Sequence, residues 1–161
     1  MDLRLIYAII LTIMPVTELR IGLPLAITYA LEYNIPIVFV FILILLLNIL
    51  LIFFIFYFLD NLHHVFMNVK IYKKFFEKYL KIFQRRVDKF EKKYETGGFL
   101  ALMLFVAVPL PGTGAWSGCL LSWLLDLDRK KSIIAIGSGI IIAGVLILLG
   151  TLGIISLFSY T

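Results

Sequence analysis

Four long apolar blocks limit what this chain can fold into: residues about 5–30, 37–59, 99–125 and 132–158. Each is long enough for the roughly 20 residues that cross a ~30 Å hydrocarbon core. Apolar residues make up 62% of the chain and are gathered into these blocks, whereas a soluble domain is nearer half apolar and scatters them. The sequence is that of an integral membrane protein. Arg4 ahead of the first block resembles the start of a signal peptide. No small-x-small cleavage pattern follows, and a charged, proline-containing stretch lies where cleavage would fall, so the segment is expected to stay in the mature protein. The single cysteine, Cys119, excludes an intramolecular disulfide and argues against a Cys-built metal site. No cofactor is expected.

The first and third blocks are interrupted. "MPVTELRIGLPLAI" holds Pro15, Thr17, Glu18, Arg20, Gly22 and Pro24; "VPLPGTGAWSG" holds Pro109, Pro111, Gly112, Thr113, Gly114, Trp116, Ser117 and Gly118. Sliding the chain by 94 sets Pro15 on Pro109, Pro24 on Gly118 and Glu32 on Asp126. Each half then reads as an apolar run, a break, a second run, a polar turn and an uninterrupted span. The first half divides as 5–14, 15–24, 25–31, 32–36 and 37–59; the second as 99–108, 109–118, 119–125, 126–131 and 132–158. Paired Gly/Pro-interrupted segments at corresponding positions point to a transporter-type site near the midplane.

Charge separates the possible topologies. Ten of the fifteen basic residues lie in 63–96, and Arg129, Lys130 and Lys131 add three. If all four blocks cross, those two groups fall on opposite sides. If the broken blocks enter and return, thirteen of fifteen share one side, which the positive-inside rule makes cytoplasmic. Ten residues before a break rise about 15 Å, half the core, which sets the tips near the midplane. Two proline-kinked spans are the alternative.

The expected fold is therefore an all-α integral membrane protein, one membrane domain over 1–161. It is an inverted repeat of a re-entrant helical hairpin plus a transmembrane helix. The first repeat, 1–60, has its hairpin at 5–31 and span at 37–59; the second, 99–161, has them at 99–125 and 132–158. Residues 61–98 form a basic amphipathic helix between the halves, placed in the cytoplasm with both termini outside. In it Val69, Tyr72, Phe76, Leu80, Phe83, Val87, Phe90 and Tyr94 recur at gaps of three and four, one face of a helix. That face suits the surface of an anionic membrane or a seam to a second subunit.

Glu18 and Arg20 are the only formal charges in the midplane region. Each costs roughly 2.5 to 3.5 kcal/mol there on insertion scales, so both must face the interior. They either neutralise each other, with Glu18 free to cap the arm that follows it, or act on a substrate. In the latter case Glu18 takes and gives a proton while Arg20 holds an anionic group. The second tip is uncharged, and its glycines free amides at the positive end of a helix arm; Thr113 or Ser117 would cap that arm. No GK[ST] follows, so it is not a Walker loop. Asn48 reads as a hydrogen-bonding contact within the bundle, and Ala135, Gly139 and Ala143, continued by Gly150, as a stripe for close helix packing.

With "PVTELRIGLPLAI" and "PLPGTGAWSG" in that order, one per half, the whole chain resembles the putative small multidrug export protein family. Its layout is also similar to the DedA and VTT-domain proteins. That likeness implies facing re-entrant hairpins and a role in flipping lipid phosphates or scrambling phospholipids, in some cases proton-coupled. DedA proteins carry acidic residues in the first hairpin, matched here by Glu18, and arginines in the second; here Arg20 sits beside the acid instead. The reading is of a small DedA-like transporter for an amphiphilic or lipid-linked anion, with Glu18 as coupling acid and Arg20 as anion contact. Export of hydrophobic cations and a non-transporting scaffold are the alternatives. A homodimer in contact with membrane lipids is expected, without nucleic acid. With no metal cluster, nucleophile constellation or acid pair, an enzyme is not.

Overall fold

A computed structural model of the chain describes residues 3–15, 17–62, 74, 98–110 and 112–159. The basic amphipathic helix expected over 61–98 falls almost wholly outside the described residues, as does Pro111. Every regular element among those described is helical: α1 (Leu3–Ile13), α2 (Glu18–Glu32), α3 (Ile37–Tyr57), α4 (Gly98–Ala107), α5 (Ala115–Leu124) and α6 (Arg129–Ser159). A π-helical turn, Phe58–Leu62, continues α3.

The breaks are shorter than the proline and glycine content implies. The first spans only Met14 to Thr17, and Gly22 and Pro24 lie inside α2. Pro24 removes a single amide-to-carbonyl bond, the one to Arg20 O, in the second turn, and buried contacts of Leu23, Ala26 and Ile27 on either side hold the helix through it. The second break runs from Val108 to Gly114, with Trp116, Ser117 and Gly118 in α5.

α1 and α2 form an antiparallel pair, since Arg4 at the start of one is ion-paired with Glu32 at the end of the other. They cross most closely at Gly22, where a Cβ would overlap Thr12 Oγ1 and lie 2.9 Å from Ala8 O. α2 and α5 end alike. Asn34 (φ 52°) and Asp126 (φ 49°) adopt left-handed backbone; the next amides reach back from Ile35 to Ala30 O (2.8 Å) and from Leu127 to Ser122 O (3.0 Å). This is the Schellman closure, with Ile35 and Leu127 as its apolar contacts.

Ile37–Asn61 and Arg129–Leu157 have mean hydropathies of 3.4 and 2.7, yet only 28% and 17% of their apolar windows are buried. A core helix of a soluble protein would be covered. Here Val38, Phe39, Leu50, Phe53, Ile134, Leu149 and Ile154 face outward, a surface that belongs in lipid. The chain is a membrane protein with two membrane-spanning helices among the described residues. They run antiparallel: Arg129 Nη2 binds both carboxylate oxygens of Asp60 (2.8 and 2.9 Å) at one end. Further along, a Cβ on Gly144 would meet Leu45 at 2.8 Å.

Small residues on α6 admit its neighbours. Ala135, Gly139 and Ala143 are buried, and a Cβ on Gly139 would approach Met103 O to 2.7 Å and Val106 Cβ to 2.8 Å. Gly150 has nothing within 4 Å, so the close packing does not extend to it. Asn48, buried half-way along α3, donates to Ile44 O of its own helix (3.0 Å). α5 climbs α3 from that level, passing Cys119 opposite Ile52 O (4.0 Å), to the turn before Arg129.

Gly139→Leu forces bulk against the α4 backbone, and overpacking of this kind costs roughly 1–3 kcal/mol. Its unfolding midpoint in detergent should fall by several degrees, while Gly137→Leu, with open space around its Cα, should leave the midpoint unchanged.

Candidate functional site

The two breaks meet half-way along α3, where four helix ends come together: the C-termini of α1 and α4 and the N-termini of α2 and α5. Chain reversal at the first break is made by Glu18 itself, which adopts φ 42°. Its amide closes a turn onto Met14 O (3.1 Å), and Thr17 Oγ1 donates to Leu11 O (2.5 Å) near the end of α1. At the second break Gly112 takes the left-handed conformation (φ 75°). There the Thr113 hydroxyl lies within donating distance of Val108 O (2.7 Å) and Leu110 O (2.9 Å).

Each break is completed by the other helix pair. The Glu18 carboxylate crosses to the start of α5: Oε2 accepts from the Ala115 amide and Oε1 from the Trp116 amide, both at 3.1 Å. Oε2 also accepts from Arg20 Nη1 at 3.2 Å. Arg20 Nη2 reaches the end of α4, donating to Val108 O (3.2 Å) and to Thr113 Oγ1 (2.6 Å). In the opposite direction the Trp116 indole Nε1 donates to Ile13 O, the last residue of α1 (3.0 Å). An anion therefore sits on a positive helix start and a cation on a negative helix end. Glu18 does cap a helix, but that of the opposite pair and not the arm that follows it.

Magnitudes explain why two charges are stable here. A hydrogen bond to a charged group contributes about 1.5–3 kcal/mol net. Glu18 accepts three, enough to offset an insertion cost of roughly 3 kcal/mol. The Glu18 and Arg20 side chains are 3% and 11% exposed, and Arg20 Nε is buried with no protein partner among the described residues. Both line a narrow cleft of about 10 Å³, room for about one water molecule, with Asn48, Gly114, Val106, Ile140, Ala143 and Ile147. Ser117 is buried and bonds to Gly114 O (3.2 Å) within its own turn, leaving Gly114 as the residue whose role is spatial. A Cβ there would overlap Glu18 Oε2.

A second internal register becomes visible. Sliding by 96 sets Pro15 on Pro111, Thr17 on Thr113 and Gly22 on Gly118, a shared P-x-T-x-x-x-x-G. In this register Glu18 corresponds to Gly114 and Arg20 to Trp116, and Glu18 meets both Gly114 and Trp116 across the breaks. Both threonines bond to a carbonyl within two residues of the end of the preceding helix, and both glycines sit where a returning arm crosses its partner. The helix closures at Asn34 and Asp126 are 92 apart, so α2 is about one helical turn longer than α5. The shift of 94 lies between these values because it averages over that extra turn.

Removing the Glu18 carboxylate strands two amides and a buried guanidinium, a loss of about 3–5 kcal/mol measurable as the unfolding free energy of Glu18→Ala. Gly114→Ala should cost a comparable amount by expelling the carboxylate, yet be near neutral in the Glu18→Ala background. Additive effects would separate the two residues.

A family model described as Putative small multi-drug export protein matches residues 18–146, which include Glu18, Arg20, the whole second break and the cleft-lining Ile140 and Ala143 of α6. No curated protein and no solved structure matches the chain. The matched family is one of export proteins and not of enzymes. The match runs through most of the chain, and on it the chain belongs to the Putative small multi-drug export protein family.

Proposed function

We propose that this protein is a small membrane transporter, DedA-like in layout, that passes an amphiphilic or lipid-linked anion between two re-entrant hairpins. In this reading α1–α2 and α4–α5 enter the bilayer and return, and the halves form an inverted repeat. The Arg4–Glu32 pairing, the antiparallel course of α3 and α6, and the shared P-x-T-x-x-x-x-G motif support it. The basic segment 63–96 lies in the cytoplasm against lipid phosphates and the termini outside. Two copies associate, because two spans and two hairpins enclose little by themselves.

The observation that carries the reading is the placement of Glu18 and Arg20 between the tips, beside a cleft and bound to the helix ends of the opposite pair. A substrate moving between the tips must part them, and so must break these bonds. Protonation of Glu18 removes its charge and turns one oxygen into a donor. The hold on the α5 amides then weakens, which gives proton coupling a physical route. Export of hydrophobic cations is a second reading, favoured by the family description and by Glu18 as the one acid lining the cleft among the described residues.

Purified protein in liposomes tests both. Glu18→Gln should abolish translocation and its pH dependence; unchanged transport contradicts the role of Glu18. Competition by lipid phosphates supports the anionic substrate, competition by cationic dyes the other reading, and no transport of any probe supports a scaffold. For topology, single cysteines at Asn34, Asn61 and Asp128 in a Cys119→Ser background should label with 61 and 128 on one side and 34 on the other. Labelling of 61 and 128 from opposite sides overturns the hairpins.

A further inference from the structure

The donors that hold Glu18 converge as they would on a free anion. We infer that the Glu18 carboxylate is a tethered occupant of an anion receptor made by the α5 N-terminus and Arg20, and that the carboxylate or phosphate head of an amphiphilic substrate displaces it. The inference rests on the transporter reading and specifies how that site takes up charge.

Two amides at 3.1 Å and a guanidinium nitrogen at 3.2 Å address the two oxygens of one carboxylate, the arrangement by which helix starts bind anions. The socket exists because residue 114 lacks a side chain. Gly114 has extended backbone, φ −90° and ψ −150°, so its conformation does not require glycine; the space does, since a Cβ would overlap Glu18 Oε2 and come within 2.7 Å of Arg20 Nη1. The guanidinium holds a donor in reserve, its buried Nε being without a protein partner among the described residues. Glu18 meanwhile is held at φ 42°, backbone that a non-glycine residue adopts only under constraint. Strain in the tether lowers the cost of its release.

A tethered carboxylate competes at high effective concentration, so a small salt ion does not dislodge it. A ligand succeeds only by adding contacts of its own, and the narrow cleft beside the socket, widened as the tips part, offers apolar ones from Val106, Ile140, Ala143 and Ile147. The site thereby selects anions that carry an apolar tail and stays closed to simple anions.

Glu18→Ala in uncharged detergent, titrated with acetate or inorganic phosphate against chloride at constant ionic strength, provides the test. Its unfolding midpoint should rise saturably with acetate, phosphate or both, the stronger response indicating which head group the socket suits. Wild type should not respond, and Glu18→Ala/Arg20→Gln should lose the response. A helical Glu18→Ala protein that treats acetate and phosphate like chloride overturns the inference. Should that variant be unfolded in every salt, Glu18→Gly, which empties the socket and adopts φ 42° without strain, takes its place under the same criteria. A flat titration beside intact wild-type transport removes the tethered anion and leaves the transporter; saturable binding without wild-type transport of any probe does the reverse.

Discussion

A helix that stops inside a membrane leaves free amides at one end and free carbonyls at the other, with no water to bind them. Among the described residues, four helix ends meet half-way along the first spanning helix. The solution is reciprocal. Glu18 binds the amides that open α5, Arg20 the carbonyl that closes α4, and Trp116 the carbonyl that closes α1. Two opposite charges two residues apart in sequence are what this task needs, because the two ends of a broken helix differ in sign and lie close together. Neither charge is tolerable alone at that depth, and neither break is satisfied alone. The requirement that backbone groups be paired thus holds the two helix pairs together more specifically than their apolar packing does.

The device is asymmetric although its framework is not. The shared proline, threonine and glycine positions build two similar tips, while charge is confined to one of them. Gly114 stands where the other tip has Glu18, and the carboxylate occupies the room a side chain would fill. A contact of this kind is either fully made or fully lost, since parting the tips strands charged groups and helix ends together. That all-or-none behaviour is what the transport proposed above requires of a gate.

Much of this was legible in the residues themselves. Unbroken apolar runs marked α3 and α6, clustered proline and glycine marked the two breaks, and the cost of charge in hydrocarbon placed Glu18 and Arg20 in the interior. Capping by Glu18 was legible as a possibility, but only toward its own arm, because local sequence cannot reveal which distant helix start lies within reach. Pro24 and Gly118 read as breakers and are helical, since tertiary contacts outweigh the loss of one backbone bond near a helix start. The 96-residue register was present in the sequence throughout. It was obscured by the extra turn of α2, which moves the polar turns out of phase with the tips. Gly114 carried no signal of its own, as its role depends on the absence of a side chain opposite a carboxylate 96 positions away.

Amide hydrogen exchange at the start of α5 tests most directly whether Glu18 completes the opposite helix pair. First-turn amides ordinarily exchange fast for want of a partner. Ala115 and Trp116 should be slow in the wild type. They should accelerate by roughly tenfold or more in Glu18→Gln, the loss of about one charged hydrogen bond each, while amides around Asn48 in α3 stay unchanged. Rates at Ala115 and Trp116 that are indifferent to Glu18→Gln would contradict that role.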